Sequence, residues 1–226
     1  MTMLNILLVN PNTNADITDI MVSRAQIYAN EVLGDRIRVS GATVVDGESL
    51  ITDEMSLKRS SFAVISLLSQ YKMSDCCGVI VAAFGDPAVK ELSLTVPVVG
   101  IGESSIQEAK SLCRPFSIVT TTPLLKASME RQVLEQNATS YFGGIIVSAG
   151  EPRDVMQSHE RLELSLIDCC TNAIEKHHSE IIIIGGGPLA SAANVLQKRF
   201  PECVILDPIR CAVYSLFRKL DIKVAQ

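Results

Sequence analysis

Short apolar runs alternate along the chain with longer stretches whose apolar positions recur at helical spacing. The runs predict eight strands, at 4–9, 37–44, 79–83, 96–101, 116–120, 145–147, 181–184 and 204–206. Between the first two, Ile17, Ile20, Met21, Tyr28 and Val32 share one helical face. Over 154–176, Val155, Leu162, Leu166, Cys169, Cys170, Ala173 and Ile174 share another, and Asp154 followed by Gln157 reads as its capping box. Such regular alternation implies parallel strands joined by right-handed helical crossovers, an α/β fold.

Four strands are predicted to end in loops of small and polar residues that run into a helix. They start at Asn10, Ala83, Thr120 and Gly186, and each carries a proline: Pro11, Pro87, Pro123 and Pro188. The first loop resembles the third and the second resembles the fourth, and the spacing from first to second start, 73 residues, is close to that from third to fourth, 66. The expected architecture is therefore two Rossmann-like parallel-sheet lobes related by pseudo-two-fold symmetry, with a cleft between them. Residues 1–95 with 208–226 would form lobe 1, and 96–207 lobe 2. Ligands of open parallel sheets bind beyond the carboxyl ends of the strands, so all four loops should meet at one cleft. Helix-start N–H groups there would favour a carbonyl or carboxylate.

Composition narrows this reading. Of the 226 residues, 47% are hydrophobic but only 4% aromatic, which suits Ile/Leu/Val strands covered by helices on both faces. A net charge of −5 leaves no basic surplus for nucleic acid. No apolar run approaches a membrane span, and the amino-terminal segment reads as a strand rather than a signal peptide. Seven cysteines, an odd number, are expected to be reduced, which points to the cytoplasm.

The loop sequences carry a resemblance. Asn10-Pro-Asn-Thr13, Phe84-Gly-Asp-Pro87, Val98-Val-Gly-Ile-Gly-Glu103 and Phe116-Ser-Ile-Val-Thr-Thr121 resemble the hydantoin and allantoin racemases of the aspartate/glutamate racemase superfamily, over about residues 4–208. The resemblance implies a cofactor-independent, metal-free isomerase, generally oligomeric, in which one cysteine from each lobe removes and returns the α-proton of a small substrate. The first family cysteine precedes Phe84 and the second stands in the middle of Gly185-Gly-Gly187. Here those positions are Ala83 and Gly186, which carry no acid or base. Cys76, Cys77, Cys113, Cys169, Cys170, Cys203 and Cys211 fall at strand starts or in and around helices, so none is expected to replace them.

Each remaining candidate has a structural reading beside its functional one. Asn10, Asn12 and Thr13 can bind a substrate carbonyl or cap the first helix. Thr120, Thr121 and Thr122 can hold an anionic or amide group or finish a strand. Phe84, Gly85 and Gly187 are expected to line the site. Asp86 is either a substitute base or a carboxylate at a helix dipole. Glu103 reads as a helix-start acid, and His159, His177 and His178 share a helix without a ligand cluster around them. The chemistry thus stays open between isomerisation at an α-carbon, decarboxylation through the same enolate-like intermediate, and ligand binding without turnover.

Overall fold

The protein is described by a computed structural model that covers residues 3–224. Two all-parallel four-stranded sheets form its frame. Strands β1 (Leu4–Asn10), β2 (Ile37–Thr43), β3 (Gly78–Val81) and β4 (Val98–Gly100) lie in the order β2-β1-β3-β4. Strands β5 (Phe116–Thr120), β6 (Phe142–Val147), β7 (Ile181–Ile184) and β8 (Val204–Leu206) lie in the order β6-β5-β7-β8. The second order repeats the first, strand for strand. The cross-strand bonds repeat too: Ala82 N–H donates to Val9 O at 2.9 Å, and Gly185 N–H donates to Val119 O at 2.8 Å.

Helices cover both faces of each sheet: α1 (Ala15–Leu33), α2 (Glu54–Leu68), α3 (Val89–Leu92), α4 (Ile101–Ser111), α5 (Lys126–Glu135), α6 (Pro152–Val155), α7 (His159–His177), α8 (Ala193–Arg199) and α9 (Pro208–Lys219). Met21, Ala25 and Ala29 of α1 pack with Ala212, Val213, Leu216 and Phe217 of α9 on one side of the first sheet. Val64 and Leu68 of α2, with Val89, cover its other side. On the second sheet, α7 and α8 take one side. Ile106 and Ala109 of α4 take the other with Met129 and Val133 of α5. The chain thus changes lobe twice, between β4 and α4 and between β8 and α9.

This topology moves the expected division between the lobes. Strand β4 hydrogen-bonds to β3, so a boundary after residue 95 falls one strand too early, and the crossing lies at Gly100–Ile101. Helix α9 packs its Ala212, Val213, Leu216 and Phe217 into the cluster beside the first sheet. All eight expected strands form. Strand β6 starts earlier than its apolar run, because Gly143 and Gly144 dilute the pattern beside a register shift at Phe116/Ser117. The expected helix over 154–176 divides at Ser158, whose side chain accepts the Arg161 N–H and caps α7. Asp154 instead lies in the short α6 and bonds Gln157 at 3.3 Å.

Candidate functional site

The strand-end loops of both lobes converge on one cleft. Its wall is built from Asn12 after β1, Ala82–Phe84 after β3, Thr120–Thr122 after β5, and Gly185–Leu189 after β7. Leu50, Ile51, Leu125, Met129 and Met156 close it with an apolar surface. The enclosed space is about 50 Å³, room for a few waters only. Among the described residues that line it, none is titratable.

Two side-chain turns organise the polar side, one in each lobe. Asn10 Oδ1 accepts the Asn12 N–H at 3.1 Å, and Thr120 Oγ1 accepts the Thr122 N–H at 3.4 Å. Asn10 is fully buried and faces its own loop, donating to Asn12 Oδ1, Asn14 O and Thr18 Oγ1, each at 3.0 Å. Asn12 Oδ1 also accepts the Asn14 N–H at 2.9 Å, which fixes the orientation of the amide. Its Nδ2 is left without a protein partner on the cleft wall. In the opposite lobe, Thr120 is tied to Thr122 Oγ1 at 3.0 Å and to Gly185 O at 3.2 Å. The neighbouring Thr121, almost fully buried, makes no side-chain hydrogen bond among the described residues. The hydrogen bonds separate the organisers of these loops, Asn10 and Thr120, from the side-chain groups that have no partner among the described residues. Thr13 lies outside the wall and bonds Glu48 O through its backbone.

Pro188 occupies the first position of a helical turn, and Pro11, Pro87 and Pro123 stand in the loops just ahead of α1, α3 and α5. The cleft is thus lined by loop residues and by the Gly187–Leu189 start of one helical turn.

The triglycine loop shows which of its glycines packing demands. A Cβ on Gly187 would meet Met21 Sδ at 2.6 Å and Ala82 O at 2.8 Å, and one on Gly185 would meet Ile118 and the Val119 carbonyl. On Gly186 it would meet only the Leu189 side chain, at 3.2 Å. Gly186 is thus the position of the three where a side chain fits. Ala83, across the cleft loops, presents its methyl to the same wall.

Asp86 stands off the cleft. Its oxygens accept the N–H groups of Gly102 at 2.8 Å and Glu103 at 2.6 Å, and Gln132 Nε2 at 2.7 Å. Burial first, and then the neighbouring Glu103, push its carboxyl up to about 7. It serves a helix dipole, that of α4 and not of its own helix. Gly85 has φ +106° and faces Leu57, away from the cleft. Glu103 caps its helix by accepting the Gly100 N–H at 3.2 Å.

None of the cysteines, all of them among the described residues, lines the cleft. Burial pushes Cys169 and Cys203 up to about 11 and raises Cys76, Cys77, Cys170 and Cys211 as well, so these stay as thiols. Among the described residues there is no group of three His, Cys, Asp or Glu side chains able to hold a metal. His177 instead bonds Gly143 O at 2.8 Å. No helix of the described residues is long and apolar enough to cross a membrane.

Two parallel lobes facing each other across strand-end loops define the class, and the chain belongs to the Asp/Glu/hydantoin racemase family, whose model matches residues 6–216. It is 26% identical over 214 residues to a hydantoin racemase of Paenarthrobacter aurescens, covering 92% of this chain and 88% of that protein. Its fold matches the crystal structure of allantoin racemase from Pseudomonas fluorescens with a TM-score of 0.88 at 22% identity, over 98% of this chain and 94% of that one. Allantoin racemase from Klebsiella pneumoniae gives 0.86 at 20% identity, over 98% and 90%.

Proposed function

We propose that the cleft binds a compact amide-ring ligand of the hydantoin or allantoin kind and labilises the proton on the carbon α to its carbonyl. The supporting observation is the pair of unpartnered polar groups, Asn12 Nδ2 and Thr121 Oγ1, carried on opposite lobes and facing one apolar cleft. Hydrogen bonds to a carbonyl that gains negative charge stabilise the enolate more than the ground state, and this lowers the barrier to proton loss. With Ala83 and Gly186 where thiols would stand, the proton leaves to and returns from water in the cleft. No cofactor or metal enters this scheme, and a cytoplasmic, oligomeric protein would suit it.

Ligand binding without turnover is the second reading, favoured by the lack of a titratable side chain among the described lining residues. Nuclear magnetic resonance in D₂O separates the two. The protein is incubated with each enantiomer of 5-benzylhydantoin, with allantoin, and with aspartate and glutamate. α-Deuteration of one of the ring compounds above the protein-free rate is the expected result. Saturable binding without deuteration would establish the second reading, and the absence of both would sink the cleft assignment.

A further inference from the structure

The loop from Ala83 to Ala88 faces two ways. Ala83 and Phe84 line the cleft, whereas Asp86 points into a separate polar cavity with Gln132 and Glu103. The loop is held in an uncommon backbone shape, with φ +51° at Asp86 and +66° at Ala88. Side-chain-bearing residues seldom adopt such angles unless their surroundings impose them. Asp86 follows β3 of the first sheet; two of its donors, the Gly102 and Glu103 N–H groups, open α4 directly after β4 at the lobe crossing, and the third, Gln132, reaches over from α5 on the second sheet. Gly100 and Gly102 make the space: a Cβ on Gly100 would collide with the Asp86 carboxylate, and one on Gly102 with the Gln132 amide. The Phe-Gly-Asp-Pro and Gly-Ile-Gly-Glu motifs are therefore two halves of one inter-lobe joint.

Helix α5 runs along this seam. On either side of Gln132, Arg131 pairs with Glu54 of α2 and Glu135 pairs with Lys90 of α3, both at 2.9 Å. Those flanking pairs are exposed and contribute little each. The joint between them is buried, and it lies behind the Ala83–Phe84 wall of the half-open cleft.

We propose that Asp86 is a positioning residue, a single carboxylate that clamps the Ala83–Phe84 wall of the first lobe to α4 and α5 of the second, and whose protonation sets how readily the lobes part. The clamp itself stands on the contacts above; only its effect on ligand entry rests on the proposed hydantoin-type ligand.

The direction follows from linkage. In the closed joint the acid is held at about 7, by burial and by Glu103, against an ordinary value of 3.8. Parting the lobes returns water to it and lets it fall back. The closed state therefore binds the proton more tightly, so protonation favours closure and a rise in pH through about 7 favours opening, by up to about tenfold per pH unit. The charged groups facing this joint are Glu103 on α4, Glu54 and Lys58 on α2, Lys90 and Glu91 on α3, and Arg131 and Glu135 on α5. Lys219 of α9 acts on Glu103.

Hydrogen exchange at the Gly102 and Glu103 amides, divided by the intrinsic rate at each pH, reads the clamp directly. Between about pH 5.5 and 7.5 the wild-type protection is expected to fall at least about tenfold, and in Asp86→Asn to stay level. The association rate of 5-benzylhydantoin should rise over the same range in the wild type alone. Level protection in the wild type, or the same slope in Asp86→Asn, overturns the proposal. If Asp86→Asn does not fold, the wild-type amide shifts of Gly102 and Glu103 decide: a shared inflection near neutrality supports the clamp, and its absence overturns it. A full exchange profile in a protein that ignores the hydantoin supports the clamp and sinks the proposed ligand.

Discussion

At the scale of single residues, the surroundings of Ala83 and Gly186 say what a thiol at each would do. A Cβ on Gly186 would meet only the Leu189 side chain, at 3.2 Å, which must give by a few tenths of an ångström, and Ala83 already carries a Cβ on the wall. Placing thiols at both, as Ala83→Cys with Gly186→Cys, is expected to raise the α-deuteration rate of a bound hydantoin about a hundredfold or more, the lower range for positioned acid–base groups. An unchanged rate would count against the placement of the cleft. Gly187→Ala is the steric contrast. Its methyl would press on Met21 and the Ala82 carbonyl, as overpacked sites do at a cost of about 1–3 kcal/mol. The polar loop residues stood out in the sequence because asparagine, threonine and glycine cluster at the strand ends, although each also had a capping or strand-ending use. Leu50, Ile51 and Met156 did not, because an apolar residue in a loop gives no sign of whether it faces core or ligand. The division between Asn10, which organises, and Asn12, which is free to bind, needed hydrogen-bond geometry that no spacing encodes.

Among the elements, the two short sheets have four edge strands, and each meets a side chain that occupies edge backbone groups. Gln26 of α1 accepts the Val39 N–H at 2.8 Å and donates to Ile37 O at 3.0 Å along β2. Gln197 of α8 does the same at β8, with the Ile205 N–H at 3.1 Å and Cys203 O at 2.9 Å. Lys219 donates to Val98 O of β4 at 3.0 Å, and His177 bonds Gly143 O of β6. Unpaired edges template pairing with other chains, and these contacts block it. Gln197→Ala is expected to leave the fold intact by circular dichroism while raising light scattering on mild heating. Equal scattering from the variant and the wild type would refute the protective role. Strand positions were readable because buried parallel strands are nearly uninterrupted Ile/Val runs. Caps and edge contacts were less so: the serine that starts α7 looks like any loop serine until the backbone places it.

Across the whole molecule, the second lobe crossing has its own carboxylate. Asp207 caps α9 by accepting the Ile209 N–H at 2.8 Å, and it also takes Arg24 and, at 2.6 Å, Tyr28 from α1. Both partners of the ion pair are largely buried, at 16% and 5% side-chain exposure. Asp207→Ala removes the cap and leaves the arginine unpaired, so a loss of about 3–5 kcal/mol is expected in urea unfolding. A loss under about 1 kcal/mol would show that solvent already satisfies the arginine. The two-lobe plan was visible in the repeated loops, but the exchange of helices between lobes was not, because amphipathic helices do not announce which sheet they cover.

That exchange has a consequence for how the protein is made. The first sheet is complete at Gly100, yet the helix that shields one of its faces is not synthesised until residues 208–219. For roughly a hundred residues of translation, at about 5–20 residues per second, the growing polypeptide displays Ile80, Val99 and their neighbours without their final cover. Such a nascent chain is a natural client for chaperones that hold apolar surface near the ribosome.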